Sequence, residues 1–107
     1  MSQQRKYKDP ELYKKYIDFL RAKAQADFRK EDWCLTEEEY FKIWAPTRYS
    51  RKGRKIQQLC MTRIDPFGPW CKGNVAVMTR ELHFKIRGNR FWNKPHQDLL
   101  KLAEFIY

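Results

Sequence analysis

Apolar and polar positions change period as the chain is read from its start. Leu12, Tyr16, Leu20, Ala24 and Phe28 recur every four residues, joined by Tyr13 and Ile17, which predicts one apolar stripe on a long helix. Asp9 opens that helix, with Pro10 at the first helical position, where a missing N–H is no loss. Lys14, Lys15, Arg21 and Lys23 fall mostly off the stripe and read as a solvated face. A second helix has a clear start signal. Thr36 and Glu39 have the spacing of a capping box, and Leu35 and Tyr40 that of a hydrophobic staple around it. Ile43 and Trp44 close its apolar face, and Pro46 stops it.

From Ile56 the period becomes two. Leu59, Met61 and Arg63 face one way and Cys60, Thr62 and Ile64 the other, as on a strand. Asp65 to Trp70 reads DPFGPW, which two prolines and a glycine keep from being helix. Val75 to Met78 is a second short strand. Thr79 caps a third helix to about Arg87, with Gly88 at its C′ position. Asn93 caps a last helix with Pro95 in its first turn and Leu99, Leu100, Leu102, Ala103 and Phe105 on its apolar face. The expected architecture is α+β in a single domain over 1–107. It has a helical N-terminal part over 8–45, a hairpin-helix core over 56–90 and a C-terminal helix over 93–106.

Charge narrows the partners. Lys and Arg total 23 against 13 Asp and Glu, a formal net charge of +10. Such an excess points to nucleic acid before an acidic protein or an anionic membrane. The 42% of hydrophobic residues is too high for a disordered basic tail. Thr47 to Lys55 (TRYSRKGRK) is the densest positive stretch, a basic loop in which Tyr49 and Gly53 sit among Arg48, Arg51, Lys52, Arg54 and Lys55. A flexible backbone, guanidinium groups and a stacking ring suit phosphate tracking. A solubilising surface loop is the plainer alternative. Lys85 to Lys94 again mixes basic residues, Arg87 and Arg90 among them, with Phe91 and Trp92. Trp70 and Trp92 fit either base stacking or ordinary packing.

The N-terminal stretch carries no apolar signal-like run, and no segment approaches a membrane span. Cys34, Cys60 and Cys71 are odd in number and lack a CxxC pair. The simple expectation is three reduced cysteines in an intracellular, cytoplasmic setting. A zinc site from Cys60, Cys71, His83 and His96 lacks the usual ligand spacing.

A hairpin followed by a helix, with Asn74 before the second strand and His83 on the helix with eight residues between them, resembles the HNH, or ββα-metal, endonuclease family. NVAVMTRELH (Asn74–His83) carries the closest likeness. TRIDPFGPWCKGN (Thr62–Asn74) is similar to a segment of small phage and mobile-element members, and LTEEEYFKIW (Leu35–Trp44) to the capped helix before it. The resemblance implies an HNH-like core that acts on DNA. It implies a base on the first strand, Asn74 to orient it, and a divalent cation such as Mg²⁺ shared by a strand-one carboxylate and His83. Laid onto this chain, the carboxylate and base fall at Thr62 and Arg63. Threonine is a poor ligand, and arginine cannot act as a base near neutral pH. Asp65 is the nearest substitute ligand, with Glu81 behind it. Asn74 after Gly73 also fits a turn residue in the left-handed region, and His83 a structural histidine.

The expectation is therefore a DNA-binding, catalytically degenerate HNH-like protein of phage type. Arg48, Arg51, Lys52, Arg54, Lys55, Arg63, Arg87 and Arg90 would meet phosphates. Two rivals are an active metal-dependent endonuclease or nickase using Asn74, His83 and Asp65, and a small phage protein that binds and redirects a host protein.

Overall fold

The structure is a computed structural model that describes residues 7–89 and 99–107. The first helix, α1, spans Pro10–Phe28, and its N-cap Asp9 accepts a hydrogen bond from Glu11 N–H. Its buried residues are Lys15, Phe19 and Ala26. Leu12 and Leu20 are partly exposed and Phe28 is 88% exposed, so the expected stripe is not the packing face. The reason is geometric: a strict four-residue spacing drifts about 40° around the axis at each step. The row from Leu12 to Phe28 therefore winds off the core. Lys15, Phe19, Ala22 and Ala26 alternate steps of four and three and stay on it. Lys15 sits inside with its Nζ 5.1 Å from the Tyr49 ring centroid and 5.5 Å from that of Phe41. Burial lowers its pKa against an opposing pull from Glu11.

Past α1 the chain turns sharply. Lys30 adopts φ 60°, Lys30 N–H donates to Asp27 O and Glu31 N–H to Ala26 O, the Schellman pattern that usually carries glycine. This turn aims Glu31 at the hairpin described next. Helix α2, Glu37–Ile43, starts at Thr36 with both halves of the capping box formed. Pro46 stops it as expected and then opens a one-turn helix, α3, Pro46–Tyr49, so the predicted basic loop begins as helix.

Strand β1 is Leu59–Arg63 and β2 is Val75–Thr79, paired antiparallel with Met61 opposite Val77 and Arg63 opposite Val75. Helix α4, Arg80–Asn89, follows directly. Thr79 Oγ1 accepts from Leu82 N–H as the predicted cap, while the helix continues through Gly88. The chain end departs from the expected helix. Residues 99–100 are helical, but Phe105–Ile106 forms strand β3, antiparallel to β2. Val75 and Val77 are fully buried, and their carbonyls need partners. Tyr107 and Glu104 N–H supply them at 2.9 and 2.8 Å. The expected cap Asn93 and Pro95 lie outside the described residues.

The sheet order is β1-β2-β3. One face packs Val75, Val77 and Leu59 against Phe19, Leu35, Tyr40, Ile43 and Trp44. The other packs Ala76 and Met78 against Leu82 and Ile86 of α4. β2 is thus buried on both faces, which is why VAVM is a continuous apolar run. The chain is a small mixed α+β domain with a three-stranded antiparallel sheet.

The cysteines overturn the expectation of three reduced thiols. Cys34 and Cys71 form a disulfide with their Cα atoms 5.1 Å apart. Beside it Trp33 bridges Trp70, Cys34 N–H donates to Trp70 O and Trp70 N–H to Asp32 O. Sequence spacing alone cannot report that residues 37 apart are brought together by the Lys30 turn. Cys60 stays free, and burial raises its pKa. Among the described residues no helix is long and apolar enough to cross a membrane.

Candidate nucleic-acid interface

β1 is an edge strand, and the register sets which of its groups face outward. Cys60, Thr62 and Ile64 oppose Met78, Ala76 and Asn74 in the bonded positions, since Ile64 N–H donates to Asn74 O. Leu59, Met61 and Arg63 therefore turn their amides and carbonyls to the free edge. Leu59 is met there by Arg51 O at 2.8 Å and Gly53 N–H at 3.2 Å. Met61 and Arg63 have no backbone partner on that side among the described residues.

Two concavities run along this edge. The first, about 280 Å³, has Arg29, Arg63, His83 and Arg87 in its wall with Thr62, and one acid, Glu31. The second, about 610 Å³, has Lys14, Lys52, Arg54 and Arg80, again with one acid, Asp18. Arg29, Met61 and Trp70 line both, so the two adjoin at the edge strand, and the groove they make up together carries seven Lys and Arg side chains and two carboxylates.

Arg63 is the best-held cation in it. Its Nη1 donates to Gly68 O at 2.9 Å and its Nη2 to Glu31 at 3.0 Å, and the guanidinium lies 5.3 Å from the Trp70 ring centroid. Trp70 Nε1 donates to the other Glu31 oxygen at 3.0 Å, and Arg29 Nε lies 3.5 Å from the same oxygen. The Trp70 hydrogen bond, with Arg63 and Arg29 behind it, holds the Glu31 pKa below its ordinary value despite opposing desolvation. The Arg63 side chain is 16% exposed and forms a fixed positive wall rather than a mobile clamp.

Asn74 has its side-chain amide engaged with the hairpin turn. Its Oδ1 accepts from Asp65 N–H at 2.7 Å, and its Nδ2 donates to Asp65 O and Pro69 O at 3.1 and 2.9 Å. It clamps the turn of the hairpin. The left-handed position beside it is taken by Gly73, φ 96°. A Cβ on Gly68 would sit 2.8 Å from Asn74 Nδ2, so the clamp also calls for glycine there. Asp65 spends Oδ1 on Phe67 N–H, and neither it nor the exposed Glu81 lines the wall with His83. Among the described residues no three of His, Cys, Asp and Glu converge to hold a metal. Cys71 is committed to its disulfide, and His96 lies outside the described residues. His83 and Thr62 do share one wall, as their positions on α4 and β1 imply.

The other predicted phosphate contacts divide. Lys52, Arg54, Arg63 and Arg87 line the groove. Arg48 closes α2, donating to Ile43 O and Lys42 O at 2.8 Å each, and lies 3.9 Å from the Phe105 ring centroid. Arg51 pairs with Glu104 at 2.8 Å, Lys55 is exposed off the groove, and Arg90 lies outside the described residues. Tyr49 donates its hydroxyl to Asp18 and packs edge-on to Trp44. Burial and that bond raise its pKa.

No family model, curated protein or solved structure matches this chain. The groove must be read from its own chemistry.

Three of its cations were missed in the sequence. Lys14 looked like one of many surface lysines on a helix. Arg29 sits in a mixed-sign run after α1 (RKED), which hides it. Arg80, whose Nε donates to Gly53 O at 2.8 Å, follows the cap of α4 and had no local signal. Only its adjacency to the basic turn at Lys52–Arg54, set by the pairing around Leu59, brings it in.

Proposed function

We propose that this protein binds DNA along the free edge of β1 without cleaving it, in keeping with the resemblance of its hairpin and helix to the HNH family. The observation that carries this is the groove itself, with seven cationic side chains against two carboxylates, one of them engaged by Arg29 and Arg63. Duplex DNA is bound chiefly through its phosphates, with release of condensed counterions. Basic walls in which Arg63 and Arg80 are held by hydrogen bonds, with further lysines and arginines beside them, suit that task. Arg63 in place of a base, and Asp65 and Asn74 committed to their own turn, favour holding over cutting.

The test is fluorescence anisotropy with a short duplex at several salt concentrations, beside a supercoiled plasmid incubated with Mg²⁺ or Mn²⁺. The expected result is binding that weakens steeply with salt, with Lys52→Ala and Arg54→Ala each reducing the log–log slope by about 0.9, and no nicking. Metal-dependent nicking lost in His83→Ala would replace this reading with the nuclease. Absence of any salt-sensitive binding would move the search to an acidic protein partner.

A further inference from the structure

Phe67 stands at the tip of the β1–β2 connection with 91% of its surface exposed. An exposed phenyl on a floppy loop would be unremarkable, but this one is mounted rigidly. Pro66 and Pro69 flank its turn. Six hydrogen bonds hold the backbone of residues 65–69: Gly68 N–H to Asp65 O, Phe67 N–H to Asp65 Oδ1, the three made by the Asn74 amide, and Arg63 Nη1 to Gly68 O. The residue before it, Pro66, lines the same cavity as Arg29, Arg63 and Arg87. The ring is therefore presented one residue away from a wall of three guanidinium groups.

Resting on the DNA-binding reading above, we propose that Phe67 stacks on a base at an interrupted step, and that the preferred ligand is a duplex carrying an unpaired or bulged base. A backbone gripped by the cavity brings its base stack against whatever projects beside the cavity. A fixed ring projects at little entropic cost on binding. Apolar side chains so placed act as wedges between base steps, and stacking on one aromatic ring strengthens binding about ten-fold or more per base. A single ring returns about what opening one intact step costs, so continuous duplex gains little. A step already opened by a bulge gains the whole stacking contribution.

The experiment uses the full chain and two otherwise identical duplexes, one continuous and one with a single bulged 2-aminopurine. The wild type is expected to bind the bulged duplex about ten-fold more tightly and to change the 2-aminopurine emission. Phe67→Ala should keep its affinity for continuous duplex and lose both the preference and the emission change, while Phe67→Trp should retain them. Phe67 touches no core, so a thermal melt of Phe67→Ala should match the wild type. A preference that survives in Phe67→Ala, or a wild type that binds both duplexes equally, overturns the proposal and leaves the DNA-binding reading standing. Binding to neither duplex overturns both.

Discussion

Arg63 Nη2 lies 3.0 Å from Glu31 Oε2, although the two residues are 32 positions apart in the chain. The pair joins the turn after α1 to the edge strand, and it neutralises part of the groove. Glu31→Gln keeps an acceptor for Trp70 and removes the charge. Affinity for duplex DNA is expected to rise several-fold, with the salt slope steeper by about 0.9. Stability is expected to fall by about 1.5 kcal/mol, because a charge-assisted hydrogen bond weakens. Anisotropy titrations and urea unfolding read the two effects separately.

The same carboxylate sets an acid limit. Its folded pKa is depressed below the ordinary 4.5, first by the Trp70 hydrogen bond and then by Arg63 and Arg29. A depressed pKa contributes stability that is present above the unfolded value and is lost as pH falls through the folded one. Melting temperature should therefore hold from pH 7 to about pH 5 and drop below the carboxylate range. Glu31→Gln should show a smaller drop over the same window. An equal drop in both proteins would assign the acid limit to other carboxylates.

Asn74 is expected to behave as a structural residue. Asn74→Ala releases three hydrogen bonds to the turn, at about 2 kcal/mol in urea unfolding. Gly68→Ala should be destabilising as well, since its Cβ would meet Asn74 Nδ2. Combined with Asn74→Ala it should add less than its own effect, and a double-mutant cycle measures that coupling.

The disulfide closes a loop between residues 37 apart. On the loop-entropy relation its removal in Cys34→Ser costs about 4 kcal/mol. The urea midpoint should fall in Cys34→Ser and, to a similar extent, in the wild type under reductant. A midpoint that does not respond to reductant would show that the bond does not form in solution.

The packing face of α1 can be checked with two phenylalanines. Phe19, 6% exposed in the core, should cost about 3–5 kcal/mol on truncation to alanine. Phe28, 88% exposed, should change stability by less than about 0.5 kcal/mol when made serine. Had the four-residue row been the buried face, the order would be reversed.

Local chemistry made much of this fold legible from the chain alone. Asp9 and Pro10, the Thr36–Glu39 box, the Thr79 cap and the period-two alternation from Leu59 to Ile64 each act within a few residues of themselves. Their structural outcome follows from propensity and hydrogen-bond reach. The apolar run of β2 likewise announced a short strand, while its burial on both faces came from the packing. Other features depend on what lies opposite in space. The face of α1 was decided by which row stays on the core, and the C-terminal strand by the carbonyls of Val75 and Val77, which need partners. The Cys34–Cys71 bond and the Arg63–Glu31 pair depend on the Lys30 turn, made by a residue with no glycine signal. The groove is of the same kind: Lys14, Arg29, Arg63, Arg80 and Arg87 come from four separate stretches. Net charge foretold that such a surface would exist; only the packing of the edge strand against its neighbours decided where.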